Sequence, residues 1–314
     1  MTFADFYRQW TDASPYIEAH TSGSTGEPKV IRLLKTDMEL SARATCRRFG
    51  IDGGSVLATP LSADYIAGKM MAVRQAVSGA RLVELPRSRT PLRDYSGDPV
   101  DLLAIVPAQI PDLLDALKRG VEIRDVIVGG APVSPADETR LAGCGASVFA
   151  TYGMTETCSH IALRPMGHDV YTVMPGISVS LNADGCLRID TGAMNVGVLD
   201  TRDVCEVLSP AEFRWLGRMD NVINSGGIKL HPEEIERSLA EVMEGREFYI
   251  TKRASTLWGE EAVMVVVTGD DELPVAVLDR ISETLPGYMR PKDIIYDSSP
   301  EYTQSGKLKR RSFV

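Results

Sequence analysis

Over the first half of the chain, apolar runs of strand length alternate with segments of helical period. The arrangement that buries both kinds of element is a mostly parallel sheet with helices on both faces. SVLATP (55–60), RLVEL (81–85), DLLAIVP (101–107), DVIVGG (125–130) and ASVFATYG (146–153) are predicted strands. Between them, YIAGKMMAVRQAVSG (65–79) and AQIPDLLDALKRG are predicted amphipathic helices, the second stopped by Gly120, and a polar helix separates the last two strands. Such sheets bind ligands at the carboxyl ends of their strands. GGAPVS (129–134) and YGMTE (152–156) each follow a strand directly, so they are expected to share one rim.

The pattern changes from about Val170 to Val207, where short extended runs broken by Gly, Asn and Asp predict a small β-rich unit. A further block starts after GRMDNVINSGGIKLHPEEIE (217–236). There Pro232 suits a first helical turn, and Glu233, Glu234 and Glu236 complement a helix N-terminus. REFYIT, AVMVVVT and DIIYD are predicted strands around a helix near 274–285. The expected division is an N-terminal domain, 1–218, and an α+β C-terminal domain, 219–314, with the boundary near Arg218–Asn221.

With 314 residues, 44% of them hydrophobic and 25% charged, the chain can bury a substantial core. Its net charge of −9 argues against nucleic acid and anionic membrane surfaces as partners. No apolar run approaches the ~20 residues that span a bilayer. MTFADFYRQW has no basic segment followed by an apolar one, so no signal peptide is expected. Five scattered cysteines form no CxxC and no Cys/His cluster, which predicts a reducing cytoplasm and no structural zinc.

The stretch HTSGSTGEPK (20–29) packs Gly, Ser and Thr ahead of a proline and a lysine. It is not a Walker A loop: Gly23 and Gly26 are too close, and Pro28 keeps Lys29 from leading a helix. Bare glycine backbone with Ser22, Ser24 and Thr25 can still form an anion nest, and Lys29 adds a point charge for phosphate. A Ser/Gly linker is the plain alternative.

TSGSTGEPK, YGMTET, the Asp203 and GRMD segments, GGIKLHPEEIE and SGKLKR occur here in the order found in the adenylate-forming superfamily, which this chain resembles over nearly its whole length. That superfamily contains acyl-CoA synthetases, peptide-synthetase adenylation domains and luciferases. TYGMTETCS and DNVINSGGIKLHPEE most resemble its o-succinylbenzoate–CoA ligase branch, which serves menaquinone biosynthesis. Members usually carry a further N-terminal subdomain before the Ser/Thr/Gly loop, so the chain is expected to be a reduced member with the adenylate-forming fold and a mobile C-terminal domain.

The resemblance implies that an aryl carboxylic acid, o-succinylbenzoate as the leading expectation, is activated by ATP and magnesium as an acyl-adenylate, then passed to coenzyme A. It implies that Thr21, Ser22, Gly23, Ser24, Thr25, Gly26 and Lys29 grip the departing β- and γ-phosphates. Thr155 would bond the α-phosphate, Glu156 would carry Mg²⁺, and Lys307 would bridge the incoming carboxylate and the α-phosphate. Tyr152 would stack on the adenine, with Gly153 and Met154 beside it, and Gly129, Gly130, Ala131 and Pro132 would wall its other face. Asp203 and Arg218 would take the ribose, although Arg202 replaces the glycine usual before that aspartate. Asp220 would be the hinge, and Gly226 and Gly227 would line a pantetheine channel. Tyr65, Ile66, Gly68 and Lys69 would wall the acyl pocket, and Lys69, His160 or Arg164 would meet a second carboxylate. The alternatives are another acid, a carrier-protein acceptor, or a nucleotide-binding homologue without catalysis. A homodimer is left open.

Overall fold

The computed structural model describes residues 1–20, 30–268, 272–301, 308–311 and 313. In chain order the elements begin with α1 (Phe3–Thr11), β1 (Tyr16–His20), β2 (Val30–Leu34), α2 (Lys35–Phe49), β3 (Val56–Thr59) and α3 (Ile66–Ser78). There follow β4 (Arg81–Glu84), β5 (Val100–Ile105), α4 (Ile110–Lys118), β6 (Ile123–Val128), α5 (Pro135–Leu141) and β7 (Ser147–Gly153). The next run is all strand: β8 (His160–Pro165), β9 (Val170–Val173), β10 (Ser178–Leu181), β11 (Cys186–Asp190), β12 (Val198–Ser209) and β13 (Glu212–Arg218). The last elements are β14 (Ile223–Ser225), β15 (Ile228–Leu230), α6 (Pro232–Leu239), β16 (Phe248–Ser255), β17 (Gly259–Val267), α7 (Val275–Thr284) and β18 (Ile294–Asp297).

Eleven strands form one sheet in the order β10-β11-β12-β13-β9-β8-β7-β6-β5-β3-β4. The half from β4 to β7 is parallel, as the alternation of apolar runs predicts. The half from β7 to β10 is antiparallel throughout. The β-rich segment is therefore not a separate unit. It extends the parallel half through β8, because short hairpin connections allow only antiparallel neighbours whereas each parallel pair needs a crossover.

Period-two burial shows that the parallel half is covered on both faces. Val56, Ala58, Leu103, Ile105, Val126, Val128, Val148 and Ala150 pack with α4 residues on one face. Their neighbours Leu57, Leu102, Ala104, Ile127 and Phe149 pack on the other, with Ala44, Cys46 and Phe49 of α2 and Met71 of α3. Helix α2 ends at Gly50, whose φ of 61° supplies the left-handed cap that stops it.

A separate five-stranded sheet holds β14 to β18 and shares a core with α6 and α7 that includes Ile223, Ile235, Leu239, Ile250, Met264 and Ile281. A third, two-stranded sheet pairs β1 with β2, from Tyr16↔Leu34 to His20↔Val30.

Candidate active site

The carboxyl ends of the parallel strands bring the two rim motifs together. Gly129 donates its backbone N–H to the Ile105 carbonyl at 3.1 Å. A Cβ at Gly129 would fall 2.4 Å from the Thr151 hydroxyl, so the GGAP loop can lie against β7 only as glycine. Gly130 then turns the chain away with φ 84°.

At the end of β7 the chain doubles back. A Cβ on Gly153 would sit 2.2 Å from the Ser159 carbonyl oxygen, so that glycine admits the close return. The Thr157 hydroxyl, fully buried, accepts from the Met154 N–H at 3.1 Å and donates to the Ser159 carbonyl at 2.8 Å. Cys158 takes a left-handed φ of 62° while its N–H closes the turn on the Thr155 carbonyl. These bonds present Thr155 and Glu156 at the tip, half-buried. No hydrogen bond or ion pair engages the Glu156 carboxylate among the described residues, and no cluster of three or more His, Cys, Asp or Glu side chains that could hold a metal occurs there. A lone free carboxylate suits Mg²⁺, which keeps its waters and takes its other ligands from phosphate.

Asp203 on β12 lies opposite Arg218 on β13. Its carboxylate accepts from the Tyr152 hydroxyl at 2.7 Å and from the Trp215 indole N–H at 3.1 Å, and Arg218 stands 3.5 Å away. Burial, then the Asp203 charge, hold the Tyr152 phenol well above its ordinary range, so it remains a donor. The Tyr152 ring packs edge-on against Tyr171 and Phe213. The preceding residue on β12 points the other way, and Arg202 pairs with Asp220 at 2.6 Å. Arginine in the glycine position thus leaves the Asp203 carboxylate in place.

A cavity of about 190 Å³ opens beside the rim, lined mostly by apolar residues including Ala44, Met174, Ile177 and Met194, with Ser41, Arg47, Thr157, His160 and Thr191 as polar members. None of Tyr65, Ile66, Gly68 and Lys69 lines it. Tyr65 is exposed, and Gly68 lets α3 touch the preceding loop, because a Cβ there would meet the Ser62 carbonyl oxygen at 2.1 Å. Lys69 turns into the core, donates to the Ala63 carbonyl at 2.6 Å and lies over the Phe6 ring. Arg164 is paired with Glu138 and covers Tyr171, so it too is committed elsewhere.

The residue that the sequence did not reveal is Arg74. It is 1% exposed, with no carboxylate partner among the described residues. One guanidinium nitrogen donates to the Ser159 hydroxyl at 2.9 Å, another touches the Met71 sulfur, and its Nε has no partner. Burial pulls it down to about 10, still cationic at neutral pH. Its neighbour His160, buried and 3.2 Å from the Thr45 hydroxyl, is held well below its ordinary value by burial and by the Arg74 charge. An isolated buried cation is costly unless an anion joins it.

Gly226 and Gly227 form the two-residue turn between β14 and β15, with φ of 58° and 85°. Both being positive marks a type I′ hairpin, which requires such residues whatever else they do. A Cβ on Gly226 would also strike the Trp258 ring at 2.6 Å. Thr21–Lys29 and Lys307 lie outside the described residues.

This fold and rim define an adenylate-forming enzyme. The AMP-binding enzyme family matches residues 8–186, more than half of the chain, and the chain belongs to it. A 2-succinylbenzoate–CoA ligase of Enterococcus faecalis is 26% identical, covering 94% of this chain and 68% of that protein. An acyl-CoA synthetase (AMP-forming)/AMP-acid ligase II-like protein from Dyadobacter fermentans is similar in structure, with 30% identity, a TM-score of 0.64, and coverage of 98% and 91%. An O-succinylbenzoate coenzyme A synthetase from Bacillus subtilis, in complex with ATP and magnesium ion, shares the fold at TM-score 0.81 and 21% identity, covering 93% and 68%.

Proposed function

We propose that the protein is an acid–thiol ligase that uses ATP and Mg²⁺ to activate an aryl dicarboxylic acid, o-succinylbenzoate in menaquinone biosynthesis, and transfers the acyl group to coenzyme A. The observation that carries the substrate reading is Arg74. A buried guanidinium without an acid, bonded to Ser159 and behind His160, which itself lines the mostly apolar cavity, fits an aromatic body bearing a second carboxylate. The family membership supports the chemistry, since a carboxylate becomes a usable electrophile once AMP is its leaving group.

Two anions must meet at the α-phosphate, so oriented donors and cations carry the rate. In this reading Thr155 donates to the α-phosphate, and Asp203, held by Tyr152, Trp215 and Arg218, accepts from the ribose hydroxyls. Tyr152 with Gly153 and Met154, and Gly129 to Pro132, enclose the adenine. Glu156 holds the magnesium ion, which neutralises charge on the phosphates. Thr21 to Lys29 retain the pyrophosphate, and Lys307 brings the acid carboxylate to the α-phosphate. Residues 1–218 and 219–314 form two domains that rotate about Asp220, with Gly226 and Gly227 beside the pantetheine path. The scattered free cysteines agree with work in the cytoplasm, and among the described residues no helix is long and apolar enough to cross a membrane.

Arg74→Gln tests the substrate reading. It should raise the KM for o-succinylbenzoate by roughly 10- to 100-fold, the value of one or two charge-assisted hydrogen bonds, while hardly changing the KM for a benzoate with one carboxylate. Equal effects on both acids would show that Arg74 supports the fold and reads no substrate.

A further inference from the structure

Three separate stretches of chain wall the cavity beside the rim. Helix α2 contributes Leu40, Ser41, Ala44 and Arg47, which helical spacing places along one face. The turn after β9 contributes Met174 to Ile177, and the loop between β11 and β12 contributes Thr191, Ala193 and Met194. Loop and helix are joined by a buried pair 158 positions apart in sequence. Asp37, in the first turn of α2, is 4% exposed. Its Oδ1 accepts from the Asn195 backbone N–H at 2.9 Å and from the Asn195 side-chain amide at 2.8 Å. Two donors of one residue on one carboxylate oxygen fix both the position and the rotation of the loop. A carboxylate is favourable in a first helical turn for its own sake, but that role needs no asparagine opposite.

The loop is closed on itself, since the Thr191 hydroxyl and N–H both donate to the Gly197 carbonyl, at 2.7 and 3.2 Å. It also presses on the facing wall. A Cβ on Gly192, where φ is 61°, would fall 2.2 Å from the Gly176 carbonyl oxygen. Between these two contacts Met194 is buried in a core that includes Met38 of α2 and Cys158, whose N–H closes the turn presenting Thr155 and Glu156.

We infer that Asp37 and Asn195 form a latch that sets the width of this cavity and so decides how large an aromatic acid the protein accepts. Neither residue lines the cavity; they are positioning residues that act through Ala193 and Met194. A pocket with packed walls discriminates by volume, and about one methylene of misfit changes kcat/KM roughly 10-fold or more. A loop held by apolar contact alone could slide outward for a larger ring. This one cannot do so without leaving the Asp37 carboxylate buried and unpaired. The inference rests on the cavity being the acid site, as proposed above, and names what fixes its selectivity.

The test measures pyrophosphate release by the full chain with ATP, Mg²⁺ and either o-succinylbenzoate or a dicarboxylate on a naphthalene ring. Asn195→Ala and Gly192→Ala disturb the loop at its two contacts independently. Each should lower the kcat/KM ratio of the smaller acid over the larger by roughly 10-fold, mostly through KM, with the KM for ATP unchanged. D37N/N195D exchanges carboxylate and amide, keeps a hydrogen bond across the pair, and should return the ratio toward its natural value. A ratio unchanged in both single variants would overturn the latch, as would an equal loss of kcat with both acids, the mark of a merely structural role. No release with either acid by the natural protein would defeat the substrate reading itself, and the latch with it.

Discussion

Arg74 and His160 are two buried bases side by side, and their charge states bind stability to pH. His160 is depressed below its ordinary value of 6.5 by burial, then by Arg74. In the unfolded chain the imidazole takes up a proton as pH falls through about 6.5, whereas in the folded protein it does not. Below that pH the unfolded state therefore binds more protons, and stability falls with pH by up to roughly 1.4 kcal/mol per unit from this group. His160→Gln should flatten the stability curve between pH 6.5 and the acid range where carboxylates titrate, as read by urea unfolding at several pH values. An unchanged slope would mean that His160 is protonated in the fold. The pair also shows what sequence cannot supply. In YIAGKMMAVRQAVSG the arginine sits at a helical spacing where solvation is the ordinary expectation. Its hydrogen-bond partner Ser159 lies 85 positions further on. Asp203 and Glu156 can be singled out in the sequence because each lies inside an ordered motif.

At the scale of elements, helix α3 shows how a position singled out in the sequence also serves the packing. Gly68 brings the loop of Leu61 and Ser62 against the first turn of α3, which sets the helix that carries Arg74. Gly68→Ala should cost roughly 1–3 kcal/mol through overpacking, seen as a lower Tm, with a raised KM for the acid as α3 shifts. A Tm unchanged within error would contradict the close approach. The predicted strands and helices of the parallel half all form, because period-two and period-3.6 patterns are local properties. The continuation of the sheet through β8 to β10 is not local: pairings such as Arg214↔Val170 join strands with other elements between them. Hydrophobic period specifies that these strands exist and leaves their neighbours open.

For the whole molecule, the proposal assigns the two half-reactions to two placements of residues 219–314 about Asp220. Asp220 is tied to both Arg202 and Arg218. These exposed pairs are worth at most about 1 kcal/mol each, small enough to be exchanged during a rotation. Lys307→Ala should remove pyrophosphate release from acid and ATP by a factor on the order of 10² or more. It should spare conversion of a supplied acyl-adenylate to the thioester. Equal loss in both assays would contradict the division of labour between the placements.

The central claim is that this chain makes an acyl-adenylate from an aryl dicarboxylic acid and hands it to coenzyme A. The most direct measurement follows pyrophosphate release and thioester formation over a panel of aryl acids, each with ATP and Mg²⁺, with and without coenzyme A. The account predicts pyrophosphate release with o-succinylbenzoate above the other acids, and thioester only when coenzyme A is present. No release with any acid, or thioester formation on a carrier protein but not on coenzyme A, would contradict it.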